Sequence, residues 1–318
     1  MPVTIEEMSE RYRKVRRQVF EDATRPLSKS PSEHRANKEK VRNRIERVCN
    51  DANLTLYQRN SVNTARIIWH HIWRKNRYAG FNAAQAHAEI DDIEVIFDDY
   101  EIFESRDWDI ELKGHEVIRA GRQVKHFLNR SGPFLGKSTI GNKRKLKTIV
   151  DVARRLKHFM DSRPASTPPI TFVSNGISLK DVWGIHQHLV KEVRCGGHLT
   201  ALHLMMDMGF SVMKPDTVIS QLFHDWKWLD SILPVRLSGK ELKRNYTKPW
   251  VYKPIIELSR QIVKATSTRD LRSDIGWATK NPLREFDSFM VKFGQEPDPK
   301  NGIVRRLHRR NLVRGVSC

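Results

Sequence analysis

The punctuation between residues 178 and 223 constrains this chain more than any other feature. Three apolar runs are separated first by the pair Gly196-Gly197 and then by Gly209 and Pro215-Asp216. Paired glycines reach left-handed conformations that other residues avoid, so residues 193–197 read as a tight turn. Gly209 reads as the stop of a helix over 198–208. Asp216 reads as the N-cap of a further helix over 217–223. Ser178-Leu179-Lys180-Asp181 resembles a capping box with Asp in place of Glu, so Ser178 is expected to open the first of the three helices. Helices joined by turns this short imply a mainly α fold.

The remainder of the chain fits that class. Residues 9–46 carry apolar side chains such as Val15, Val19 and Phe20, then Val41 and Ile45, at helical intervals around a Pro/Ser break. This predicts two amphipathic helices forming a basic arm over residues 1–50, either solvated or in contact with DNA. Residues 54–76 read as a buried helix bearing Ile68, Trp69, Ile72 and Trp73, and residues 91–109 form an acidic island. Residues 130–155 are strongly basic, with Gly132, Gly136 and Gly141 preceding Lys143, Arg144, Lys145 and Lys147 at a helix start, an arrangement suited to phosphate. The spacing is not that of a P-loop. A Pro/Ser/Thr linker follows at 162–170. Lys248-Pro249 and Lys253-Pro254 read as helix boundaries, with helices expected near 255–266 and 282–294. No internal repeat and no strand ladder is evident. The expected domain is 51–300, followed by a basic tail over 301–318.

The formal net charge is +20 over 318 residues, which attracts polyanions, nucleic acid first among them. Three cysteines, Cys49, Cys195 and Cys318, offer neither a disulfide framework nor a four-thiolate cluster. No apolar run approaches the length of a membrane span. These features predict a monomeric protein of the cytoplasm, associated with the nucleoid if bacterial, without membrane attachment, metal or cofactor. His70, His71, His186, His188 and His203 lack zinc spacing and read as structural or surface residues.

The sequence Gly197-His198-Leu199-Thr200-Ala201, then Met208-Gly209-Phe210, then Lys214-Pro215-Asp216-Thr217-Val218-Ile219 resembles the signature of the helix-hairpin-helix DNA glycosylases, the superfamily of endonuclease III. The likeness extends more weakly over 54–294, including a basic helix after Gly141 and a late helix, 284–294, ending in glycine. It implies a two-lobed helical fold whose hairpin binds a phosphate of double-stranded DNA through Arg194, Gly196, Gly197, His198 and Thr200. It implies also that Asp216 is the catalytic carboxylate for release of a flipped-out base. Excision creates an oxocarbenium-like sugar that needs a nearby negative charge and an oriented water. The chain departs from the family pattern in three places. Leu199 stands where lyase-competent relatives carry lysine, so the resemblance implies a monofunctional glycosylase. Cys195 and Gly196 stand where the family has a glycine and an apolar residue, which predicts a distorted hairpin. No cluster of cysteines follows the last helix.

Two versions of that activity are open: removal of damaged or mismatched bases in repair, or of modified bases from phage DNA. The alternative is a non-catalytic helix-hairpin-helix DNA-binding protein in which Asp216 only caps its helix. Lys214 and Arg194 each have two roles open, solvated side chain or phosphate contact. On either reading the affinity for duplex DNA should fall steeply with salt, carried by Lys143, Arg144, Lys145 and Lys147 and by the tail around Arg305, Arg306, Arg309 and Arg310. A filter-binding titration over a range of salt concentrations measures this, and binding unchanged between low and high salt would contradict it.

Overall fold

Amphipathic spacing in the first helix decides where the N-terminus goes. In a computed structural model, which describes residues 3–24, 31–50, 54–58, 65, 67–72, 110–113, 116–119, 122–126, 143–164 and 166–294, helix α1 spans Ile5–Thr24 and α2 spans Pro31–Asn50. Met8, Tyr12, Val15 and Val19 fall on one face of α1 and are buried. The segment expected as an arm therefore contributes a core helix. The chain divides into two compact units, Met1–Ala52 with Ser211–Cys318, and Asn53–Phe210. The described residues are mainly helical.

In the first unit, α1 packs against later helices that close the chain back on its beginning. These are α7 (Thr217–Asp225), α8 (Gly239–Asn245), α9 (Pro249–Ala265), α10 (Thr268–Ile275) and α11 (Pro282–Gly294), of which α9, α10 and α11 contact α1. Each start has a local cause. Ser238 and Glu241 form a reciprocal capping box on α8, Ser267 caps α10, and Pro249 occupies the first turn of α9, where no N–H is needed. Pro254 is not the boundary expected from its sequence, because α9 continues through it and buries Ile255, Ile256, Leu258 and Ile262. Burial of that apolar face outweighs the one backbone bond that proline removes.

The fully buried guanidinium of Arg16 ties this unit together. Its Nε donates to Glu285 on α11, Nη1 donates to the Leu271 carbonyl, and Nη2 donates to the Trp277 carbonyl at 2.6 Å. The second Glu285 oxygen accepts the Thr279 N–H at 3.0 Å. The guanidinium also lies over the rings of Trp277 and Phe289 at 5.3 and 5.6 Å. One ion pair thus fixes α1, the middle of α10, the 277–279 loop and α11.

The second unit holds a sheet that sequence patterning missed. Strands β1 (Ile110–Lys113), β2 (Glu116–Arg119) and β3 (Arg122–His126) form an antiparallel meander in the order β1-β2-β3, with a register irregularity at Val117/Ile118. The β-branched pair Val117-Ile118, set between Gly114 and Gly121, was the available signal. In place of the single helix expected over 54–76, residues Leu54–Gln58 form a 3₁₀ turn and residues 67–72 are helical, with Ile68, Trp69 and Ile72 buried. Then follow α3 (Lys143–Asp161), α4 (Ile170–Ser174), α5 (Val182–His188) with a π turn over Leu189–Val193, and α6 (His198–Asp207). Trp73, the acidic residues 91–109, Gly132, Gly136, Gly141 and the tail 301–318 lie outside the described residues.

Removing one partner of a buried ion pair strands the other charge, so Arg16→Met should cost about 3–5 kcal/mol in urea denaturation. Replacing Arg16 and Glu285 together by apolar residues should recover most of that loss. A single variant as stable as the wild type would contradict the role of the pair.

Candidate functional site

Arg194 adopts the left-handed conformation at φ 54° and terminates the π turn, its N–H donating to the Leu189 carbonyl. Gly196 follows at φ 128°, a region that side chains resist, so this position requires glycine. Gly197 is different. Its backbone is extended, at φ −77° and ψ 173°, and a Cβ built there meets nothing within 4 Å. No side chain caps the first turn of α6, which follows it. Uncapped N–H groups at a helix start attract anions.

Interior contacts brace this turn. Arg155 on α3 donates to the carbonyls of Glu192 and Val193, holding the end of the π turn. His186 is buried, donates from Nε2 to the His198 carbonyl at 3.1 Å, and stacks on the His198 ring at 5.3 Å. Cys195 points inward, and burial pushes its thiol up to about 12. Arg194 and Gly197 are exposed, while Gly196, His198, Leu199 and Thr200 are half-buried. The far end of α6 closes as expected at Gly209, where the Gly209 N–H donates to Met206 O (3.2 Å) and the Phe210 N–H to Met205 O (3.0 Å). That is the paired geometry of a Schellman cap.

In the other unit, Asp216 caps α7. One carboxylate oxygen, Oδ1, accepts the N–H groups of Val218 (2.9 Å) and Ile219 (3.1 Å). The side chain is half-buried, and its Oδ2 takes no hydrogen bond among the described residues. A second carboxylate supports the same turn. Asp287 of α11 is 6% exposed, accepts the Lys214 N–H on Oδ1 at 3.3 Å, and lies 3.6 Å from the Arg284 guanidinium through Oδ2. Burial pushes the Asp287 carboxyl up to about 6, and the charge of Asp216 adds to the rise. Arg284 and the Lys214 N–H work against it.

The register of α7 on α11 depends on Gly294. A Cβ there would overlap Val218 Cγ1 and stand 2.9 Å from Leu222 Cδ1, so glycine lets the start of α7 approach closely. Asp287 lies two helical turns earlier on the same face of α11. Its importance was invisible in the sequence, where nothing links position 287 to 216. The late helix ending in glycine was legible, and it is the element that supplies both residues.

Arg194, Gly196, Gly197, His198 and Thr200 therefore belong to one unit and Lys214 and Asp216 to the other. Lys143, Arg144, Lys145 and Lys147 fall in the first turns of α3, but their side chains lie outside the described residues. The helix α5 starts later than its motif suggested. Asp181, not Ser178, is the N-cap, accepting the Gly184 N–H at 2.9 Å. Among the described residues no group of three or more His, Cys, Asp or Glu could hold a metal ion, and no helix is long and apolar enough to cross a membrane.

No family model, curated protein or solved structure matches the chain.

The raised Asp287 carboxyl sets a direction for stability. A group at about 6 in the fold and 3.8 when unfolded binds its proton more tightly in the fold, so its contribution is full below about pH 4 and is lost as pH rises through 6. The loss is roughly 3 kcal/mol. Asp287→Asn keeps an acceptor for Lys214 and should gain on the wild type by up to that amount between pH 4 and 7 in urea titrations. Parallel pH profiles for the two proteins would contradict the burial of this charge.

Proposed function

We propose that this protein binds duplex DNA and hydrolyses the N-glycosidic bond of a flipped-out modified or damaged base, leaving an abasic site. The carrying observation is the state of Asp216. Capping fastens the carboxylate through Oδ1 alone, so the side chain is held in place while Oδ2 stays available to substrate. A fixed carboxylate beside the reacting sugar stabilises the charge that develops when the C1′–N bond breaks and the base leaves with the bonding electrons. It can also accept a proton as water adds to C1′. Asp287 strengthens the reading, because a buried carboxyl that costs stability at neutral pH and lies next to another acid is a common feature of functional sites.

The hairpin supplies the complementary half of the reading. Exposed Arg194, the open backbone of Gly197 and the uncapped start of α6 suit a phosphate oxygen, which positions DNA without reading its sequence. Leu199 at the position of the lyase lysine directs the chemistry to hydrolysis instead of a Schiff base.

A second reading draws on the same carboxylate. As the N-cap of α7, Asp216 has a sufficient structural reason to be there, and a non-catalytic helix-hairpin-helix DNA-binding protein would need no more. Asp216→Asn separates the two. The amide retains a capping oxygen but no charge. Base release from a panel of DNAs carrying damaged and phage-type modified bases, read by mass spectrometry, should fall by about 100-fold or more, with duplex affinity nearly unchanged. The wild-type product should be an intact abasic strand, with no covalent complex trapped by borohydride. Full release by the Asn variant would remove Asp216 from the mechanism, and loss of binding with activity would favour the structural role.

A further inference from the structure

The segment from Arg236 to Lys253 carries six cations and a single carboxylate. Glu241, that carboxylate, is spent locally, accepting the Ser238 N–H at 2.8 Å within the α8 capping box. Lys240, Lys243 and Arg244 follow at helical spacing on α8, Lys248 stands in extended backbone at the start of α9, and all four are exposed, while Leu242 is buried. Among the described residues none of Lys240, Lys243 and Lys248 forms an ion pair with a carboxylate. Like charges at this spacing repel one another along a helix, so the stripe is unfavourable unless something anionic covers it.

The stripe ends on an aromatic ring. Trp250 is 40% exposed, whereas the other tryptophans whose burial is described, Trp69, Trp226, Trp228 and Trp277, are buried, and Trp183 is half-buried. Nothing in the packing of α9 calls for a large apolar side chain facing water, since Val251, Tyr252, Ile255 and Ile256 already supply its buried face. The position is also constrained. Pro249 fixes the backbone before it, and Pro254 has no N–H to give to the Trp250 carbonyl. Tyr246 lies half-exposed between Arg244 and Lys248.

We propose that the exposed surface of α8 and the start of α9 is a binding surface for single-stranded nucleic acid, built from residues other than Asp216 and those of the 193–198 segment. Trp250 stacks on an unpaired base, and Lys240, Lys243, Arg244 and Lys248 follow the phosphates of the strand. Cations in a row with an interleaved aromatic are the elements by which such strands are held without sequence preference. An anionic membrane surface is a poorer fit, because it needs an apolar face to insert, and the residues following Trp250 are buried in the protein. The inference does not depend on the glycosylase reading.

The test uses the full chain, a fluorescent oligo-dT strand and fluorescence anisotropy. Trp250→Ala should weaken binding about 5- to 100-fold, and Trp250→Phe, which keeps a stacking face, should restore most of it. Lys243→Gln with Lys248→Gln should weaken binding and lower the slope of log affinity against log salt by about 1.4. The equal charge change at Lys264 and Arg269, exposed elsewhere on the same unit, should matter less. Cross-linking from 4-thiothymidine in the strand should mark the peptide that contains Trp250. Unchanged binding by Trp250→Ala, a cross-link confined to other peptides, or Trp250-dependent binding to phosphatidylserine vesicles without binding to oligo-dT would overturn the proposal. Because all the altered side chains are exposed, loss of fold is not the expected cause of weaker binding, and circular dichroism of each variant checks this.

Discussion

The pairing of Arg16 with Glu285 joins the beginning of the chain to its last described helix, and much of the first unit depends on it. A guanidinium with no water around it must spend its donors on protein, and here they go to a carboxylate and two backbone carbonyls. Those carbonyls belong to the middle of α10 and to the loop leading into α11. The same contact therefore sets the entry of α11, and α11 carries Asp287 and Gly294 to the start of α7. Asp274 repeats the device nearer the surface, taking Arg13 at 2.9 Å and Arg17 at 2.7 Å.

Local chemistry was readable from sequence, and long-range chemistry was not. The cap of α7, the stop at Gly209 and the span of α11 were each written in a few adjacent residues. Pro254 was misread because a proline is an intrinsic breaker only until enough apolar surface is buried around it. Ser178 was misread because Asp181 offers a better acceptor three residues later. Two helices were expected before residue 50, but the role of α1 depends on what its buried face meets more than 200 residues away. A clue lay in Arg16, a charge set among Tyr12, Val15 and Val19 on an otherwise apolar face.

The candidate site follows the same rule. Asp216 is conspicuous because glycines and proline surround it, whereas Asp287 looks like one more polar residue in an amphipathic helix. The approach of α7 to α11 adds a backbone N–H and a second acid to the arginine that α11 itself places three residues before Asp287. Two carboxyls so placed have different environments, one half-exposed and one dry.

Cys195 adds a consequence for the environments in which the turn can keep its shape. It stands between Arg194 and Gly196, in the part of the chain with the least ordinary backbone, yet its sulfur is enclosed and its thiolate strongly disfavoured. Oxidants and disulfide exchange act on exposed thiolates. The turn at residues 193–197 should therefore hold the same conformation in reducing and oxidising surroundings, with its one sulfur serving as filling in the core.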